Sequence, residues 1–216
     1  MLKLYSFWRS SASYRVRIAL ALKGLPYEYV PIHLVRDGGE QNAPAYRALN
    51  PQGRVPLLVD GDFRIAQSMA ILDYLESLQP SPALRPTDAR QRARVLAFCE
   101  AINADTQPLQ NTGAVLYLGE RLGADEAAKG AWMRHWIERG LTVLEQERAG
   151  APETGYAFGE SPTWADCLLV PQVYNAERWK CDLHKFPKLV ALARRVREEP
   201  AFAAAHPSQQ PDAAPA

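Results

Sequence analysis

Hydrophobic positions in the first 80 residues switch repeatedly between strand and helix periods. Leu2–Phe7 reads as a short apolar strand. Ser11–Lys23 follows as a helix, almost wholly apolar after Arg17 and therefore expected to be buried, with Gly24 and Pro26 as its stop. Tyr27–His33, rich in Tyr, Val and Ile, reads as a second strand. Asp37-Gly38-Gly39 is a turn signal, and a short helix over Pro44–Leu49 ends at Asn50-Pro51-Gln52-Gly53. Val55–Val59 and Phe63–Ala66 form a strand pair across Asp60-Gly61-Asp62. In Ser68–Leu78 the residues Met69, Ile71, Leu72, Leu75 and Leu78 keep helical spacing. The order β-α-β-α-β-β-α predicts an α/β unit with a mixed sheet over residues 1–80.

Gln79-Pro80-Ser81-Pro82 and Arg85-Pro86 mark a linker, and from residue 87 to 216 the pattern is all helical. Thr87–Leu122 is long, with a break expected near Pro108. Ala124–Arg148 is a second long helix, and Thr163–Trp179 a third, apolar enough to be central. Pro187–Arg197 and Pro200–Ala205 are shorter helices with Pro at their starts. Thr163-Trp164-Ala165-Asp166 has the spacing of a capping box, so Asp166 is expected to start the buried helix rather than take part in chemistry. Gln209–Ala216, rich in Pro, Ala and polar residues, is expected to pack loosely.

The composition narrows the function. A net charge of +1 gives no reason to expect nucleic acid as a partner. No apolar run reaches membrane-spanning length, so no membrane partner is expected. Cys99, Cys167 and Cys181 form no Cys-x-x-Cys and fit a reducing, cytoplasmic compartment. The four histidines are scattered without zinc-ligand spacing, so no metal is expected. There is no Gly-x-Gly-x-x-Gly or Walker-type loop.

The first strand–helix junction carries the candidate chemistry. Ser10, Ser11 and Ser13 lie where a helix begins, with Arg9 before them and Arg15 and Arg17 after. A helix N-terminus presents unpaired N–H groups and a positive dipole end, which favour an anion. The same serines also suit plain capping.

The stretch Ser10-Ser11-Ala12-Ser13-Tyr14-Arg15-Val16-Arg17-Ile18-Ala19-Leu20 resembles the signature of zeta-class glutathione transferases, a Ser-Ser-Cys group followed by an aromatic residue and Arg-Val-Arg-Ile-Ala-Leu. Asn50-Pro51, Val55-Pro56, Gln67-Ser68, Gln107-Pro108-Leu109-Gln110-Asn111, Val170-Pro171-Gln172-Val173 and Asn175-Ala176-Glu177-Arg178 are similar to that class as well. So is the end from His206-Pro207 to Asp212, and the likeness runs over essentially the whole chain. It implies the glutathione transferase fold, an α/β thioredoxin-like N-terminal domain plus an all-α C-terminal domain that carries much of the acceptor pocket. It also implies glutathione as cofactor, a homodimer, and cis–trans isomerisation of maleylacetoacetate to fumarylacetoacetate in tyrosine and phenylalanine breakdown. Maleylpyruvate isomerisation, transfer to small halo acids and a non-catalytic binding module are the alternatives.

By that resemblance Ser11 is the expected hydrogen-bond donor to the glutathione thiolate, with Ser10 second. Val55, before a cis Pro56, is expected to pair its main chain with the cysteinyl part, and Gln67 and Ser68 to hold the γ-glutamyl carboxylate. Gln41, Gln107 and Asn111 are carried over for the polar ends of the tripeptide. Arg9, Arg15 and Arg178 are expected at the carboxylates of a small maleyl keto acid, because a guanidinium matches both oxygens of a carboxylate. Arg17, on an apolar helix, is expected in an intramolecular ion pair. Trp8, Tyr14 and Trp179 line a pocket or belong to the core. The implied chemistry is addition of thiolate to the cis double bond, rotation about the resulting single bond, and expulsion of thiolate. One departure matters: the signature cysteine is Ala12 here, which disfavours dithiol redox chemistry at this turn.

Overall fold

β1, Leu2–Ser6, buries Leu2, Leu4 and Ser6 on one face, the alternation of a strand covered on one side. The computed structural model, which describes residues 1–150 and 152–213, builds a four-stranded sheet around it. β2 (Tyr27–Pro31) pairs parallel to β1, and β3 (Leu57–Asp60) pairs antiparallel on its other side. β4 (Phe63–Ala66) then pairs antiparallel with β3, giving the order β2-β1-β3-β4. Between β1 and β2 runs α1, Ser11–Leu22, whose Val16, Ile18, Ala19 and Leu20 are completely or almost completely buried. Each such aliphatic side chain larger than Ala contributes roughly 1.5–3 kcal/mol by burial. α2 (Pro44–Leu49) precedes β3, and α3 (Ser68–Leu78) follows β4, with Ile71, Leu72 and Leu75 inside.

Strand register fixes where the loops of this unit converge. Tyr5 on β1 lies opposite Leu57 on β3, and Leu57 lies opposite Ala66 on β4. The exit of β1, the entry of β3 and the exit of β4 therefore share one edge of the sheet. Those are the points where Phe7–Ser10, Val55-Pro56 and Gln67-Ser68 sit.

The chain divides into two compact units, one of Met1–Leu84 with the segment from Arg197 onward, the other Arg85–Val196. The break near residue 85 falls at the expected Pro-rich linker. The expected all-helical half, from residue 87 to the end, loses its last stretch to the first unit. There α9 (Pro200–Ala205) packs on α1, with Phe202 fully buried. The expectation of a loose end fails as well. Gln210 is buried and donates to the Ala204 and His206 carbonyls, and Asp212 accepts from Tyr29 and from the Trp8 N–H. Residues 214–216 lie outside the described residues.

In the second unit the long helical stretch is interrupted, as expected around Pro108. α4 (Ala89–Asn103) ends before a 3₁₀ turn at Gln107–Gln110, and α5 (Thr112–Leu122) follows. α6 (Glu126–Glu147) and α7 (Trp164–Arg178) come next, then α8 (Pro187–Arg197). α7 packs against α4 and α6 and is buried along most of its length. Its capping box is complete: Thr163 caps the helix, and Asp166 accepts from the Thr163 N–H at 2.8 Å and from Ala157 N–H at 2.8 Å. Burial pushes the Asp166 carboxyl above the usual aspartate range, while these donors pull it back. Asp166 is thus structural, as its spacing predicts.

Candidate active site

Ser10 and Ser11 divide the roles at the start of α1. Ser10 is the N-cap, and its Oγ accepts from Ser13 N–H at 3.2 Å. Ser11 is the first helical residue and largely buried, yet its Oγ enters no hydrogen bond with the described residues and is not sealed from solvent. A hydroxyl so placed, at the positive end of a helix, is available to donate to an incoming anion. Arg9 lies one residue before the cap, its guanidinium over the Trp8 ring at 5.2 Å, with no ion pair among the described residues.

Across the sheet edge, the Val55–Pro56 bond is cis, as expected. Val55 N–H and C=O make no hydrogen bond with the described residues, so this segment offers a donor and an acceptor from one residue. Its side chain packs in one cluster with Phe7, Tyr46 and Leu57, against Trp8 and Leu34, so loop and strand entry form one body.

Gln67 takes φ 74° and ψ 114°, a conformation that a residue with a Cβ rarely adopts. Holding it there costs on the order of 1–3 kcal/mol. It ends β4 and turns the chain into α3, and its Nε2 donates to Gln52 Oε1 at 2.8 Å. Ser68 is the first residue of α3, and its Oγ accepts from Arg15 Nη1 at 3.0 Å. Arg15 therefore does not take the position expected of it, an open clamp for a substrate carboxylate. It is almost fully buried, and its charge backs the N-terminus of α3 from below. Helix dipole, first-turn N–H groups and guanidinium all favour an anion at Ser68.

Arg17 departs from expectation too. Among the described residues no carboxylate pairs with it directly. It donates to the carbonyls of Ala205 (3.1 Å), Trp8 (2.9 Å) and Phe7 (3.4 Å) and to the Ser6 hydroxyl (3.3 Å). Burial holds its guanidinium below the usual arginine range. Tyr14 is core, stacked against Arg17 and edge-on to His206. Gln41 is folded inward, donating to the Leu34 carbonyl, with its Oε1 buried and unpartnered.

The remaining expected residues belong to the second unit. Gln107 opens the 3₁₀ turn. Asn111 is engaged as the N-cap of α5, accepting from Ala114 N–H and donating to the Pro108 carbonyl. Arg178 is exposed in the last turn of α7, over the Trp179 ring at 5.2 Å. Among the described residues no cluster of His, Cys, Asp or Glu is placed to hold a metal ion, and no helix is long and apolar enough to cross a membrane.

The family of glutathione S-transferase N-terminal domains matches residues 1–77, and that of glutathione S-transferase C-terminal domains matches residues 111–205. Maleylacetoacetate isomerase of Pseudomonas aeruginosa is 47% identical over 212 residues, covering 98% of this chain and 98% of that protein. A solved structure described as a holo maleyl pyruvate isomerase, a bacterial glutathione S-transferase of the zeta class, superposes with a TM-score of 0.95 at 46% identity. It covers 98% of this chain and all of the other. The chain belongs to the zeta-class glutathione transferases. A further structure, maleylacetoacetate isomerase of Methylobacterium extorquens with bound malonate and glutathione, has a TM-score of 0.94 at 36% identity, over 99% of this chain and all of that one. The junction Phe7–Ser11, Val55-Pro56 and Gln67-Ser68 brings main-chain donors and acceptors and the N-termini of α1 and α3 to one edge of the sheet.

The contacts that the sequence pattern does not announce are those made by packing. Arg17 from α1 and Asp212 from the C-terminal segment bind the Trp8 main chain, Tyr29 from β2 holds Asp212, and no local spacing announces this set.

Proposed function

We propose that the chain is a glutathione-dependent cis–trans isomerase converting maleylacetoacetate to fumarylacetoacetate, with Ser11 as the catalytic hydroxyl. The observation that carries this is the unengaged Ser11 Oγ at the start of α1, on the same sheet edge as the unpaired main chain of Val55 and the Arg15-backed N-terminus of α3. Bound glutathione supplies the nucleophilic thiolate and is regenerated. Ser11 donates to the sulfur and favours its ionised form. A free thiol titrates near about 8.5, and a hydrogen bond to a charged group contributes about 1.5–3 kcal/mol. Val55 pairs with the cysteinyl main chain, while Ser68 and the first turn of α3, with Gln67, take the γ-glutamyl carboxylate. Arg9 takes a carboxylate of the keto acid, and its guanidinium stabilises negative charge that develops on the carbonyl oxygen. Arg178, Gln107, Asn111 and Gln41 enter by likeness to the class alone.

Maleylpyruvate isomerisation is the second reading, favoured by the near-equal identity to a structure of that name. A homodimer rests on family membership, and light scattering giving the monomer mass at micromolar concentration contradicts it. Three buried cysteines without a disulfide fit a cytoplasmic setting. The deciding experiment is product analysis by NMR with maleylacetoacetate and with maleylpyruvate, each with and without glutathione. Trans product only in the presence of glutathione supports isomerisation, and the faster substrate selects between the readings. Glutathione consumption with a halo acid and no isomerisation favours transfer. No calorimetric binding of glutathione at millimolar concentration makes the chain a non-catalytic module.

A further inference from the structure

The main chain of Trp8 is held at both ends, its N–H by a residue 204 positions away and its carbonyl by one nine positions on. Its N–H donates to Asp212 Oδ2 at 3.1 Å, across 204 positions. Its carbonyl accepts from Arg17 Nη2 at 2.9 Å. Neither holder is loose. Asp212 Oδ1 accepts from the Tyr29 hydroxyl at 2.6 Å, and Arg17 is fixed by the Ala205 and Phe7 carbonyls and by Ser6. The segment that delivers Asp212 is itself anchored. Phe202 is fully buried, Pro207 is buried, and Gln210 ties back to Ala204 and His206.

Trp8 is two residues from the Ser10 cap and three from Ser11. The turn between them closes with Ser10 N–H on the Phe7 carbonyl at 3.0 Å. In so short a turn, fixing the two successive peptide groups that flank the Trp8 Cα fixes the direction in which Arg9 and Ser11 leave it. An unheld turn samples other backbone wells, and a donor misplaced by about 1 Å loses much of its effect on a reacting group. Burial alone does not require this arrangement, since Asp212 and Trp8 are only half-buried and water would satisfy the same N–H.

We propose that Asp212 is a positioning residue for the thiol site, a C-terminal latch that, against Arg17, sets the Phe7–Ser11 turn and so the aim of the Ser11 hydroxyl. The groups facing Asp212 are the Tyr29 hydroxyl from β2 and the Trp8 N–H, with the Arg17 charge acting from α1. The latch rests on the reading that Ser11 meets glutathione, and two readouts separate the two claims.

The first is hydrogen–deuterium exchange of residues 7–11 in the ligand-free, full-length protein. The second is ultraviolet titration of the thiolate of bound glutathione. Asp212→Ala is expected to speed exchange in this segment, with the strands of the sheet unchanged. It is also expected to raise the bound thiol pKa by about one unit, a tenfold change in the ionisation constant. Asp212→Asn keeps an acceptor for Trp8 and a partner for Tyr29 and is expected to restore most of both. Tyr29→Phe frees one side of the carboxylate and is expected to shift both readouts part of the way. It decides the matter if Asp212→Ala fails to fold. Unchanged exchange, or faster exchange with an unchanged thiol pKa, overturns the latch. A wild-type protein with no thiolate band on adding glutathione sinks the glutathione reading instead, and the exchange series still tests whether Asp212 holds the turn.

Discussion

Ser10 and Ser11 are neighbours with different surroundings, and the difference is one hydrogen bond. Ser10 Oγ caps the helix through Ser13 N–H, whereas Ser11 Oγ has no protein partner among the described residues. Ser11→Ala is therefore expected to remove a charge-assisted donor without unfolding α1. The bound thiol pKa then rises by roughly one to two units, because the anionic form alone loses stabilisation. Since thiolate is the depleted form, the deficit in turnover is large near neutral pH and shrinks as pH rises past the new pKa. A pH series of kcat/KM for Ser11→Ala tests this, and a small, flat deficit moves the role to Ser10 or the helix terminus. Ser10→Ala is expected to lower stability by about 0.5–2 kcal/mol through loss of the cap. The hydroxyl cluster is visible in the sequence. Which hydroxyl caps and which is left open depends on side-chain directions at the helix start, and the sequence pattern is the same for both.

Helix α7 shows how far local chemistry reaches at the scale of an element. Thr163 and Asp166 stand three apart and form the reciprocal cap that this spacing predicts, and the helix they start is buried along most of its length. Asp166 also accepts from Ala157 N–H, a contact from the preceding loop. Asp166→Ala removes the acceptor of two buried N–H groups, each costing about 1–3 kcal/mol when left unmet. Thr163→Ala loses only its side of the cap, about 0.5–2 kcal/mol. Urea unfolding is expected to show a lower midpoint for both, with the larger fall for Asp166→Ala and little change in slope. Equal falls would mean that Ala157 finds another acceptor. Helix spans at Pro44–Leu49, Ser68–Leu78, Pro187–Arg197 and Pro200–Ala205 match their patterns, since Pro at a first turn or a steady apolar period marks each. The stretch from residue 87 to 122 separates into α4, a 3₁₀ turn and α5, because Pro108 lacks an N–H and Asn111 supplies a new cap.

At the scale of the whole molecule, the end of the chain completes the unit that begins it. α9 lies on α1, and Phe202 is buried without residual exposure. Phe202→Ala is expected to cost about 3–5 kcal/mol. Because Ala205 and Asp212 lie on the same segment, the loss is expected to loosen the Phe7–Ser11 turn and weaken glutathione binding together. Calorimetry of glutathione binding alongside thermal unfolding checks this, and full affinity in a destabilised variant would detach the segment from the site.

By itself the sequence determined the elements of the α/β unit, the helical remainder, the linker near residue 85, the capping box of α7 and the class signature around Ser11. Each is set by residues within a few positions of one another, through period, turn chemistry and caps, so it is written locally. Only the tertiary structure decided that Arg15 backs Ser68, that Arg17 binds carbonyls rather than a carboxylate, and that Asp212 reaches the Trp8 peptide. Those bonds join residues 53, 9 and 204 positions apart. For the distant pairs, what brings the groups together is the packing of α1, α3 and α9 around one sheet. Even the close pair, Arg17 with Trp8, depends on burial, which removes water from the guanidinium and leaves backbone carbonyls as its acceptors.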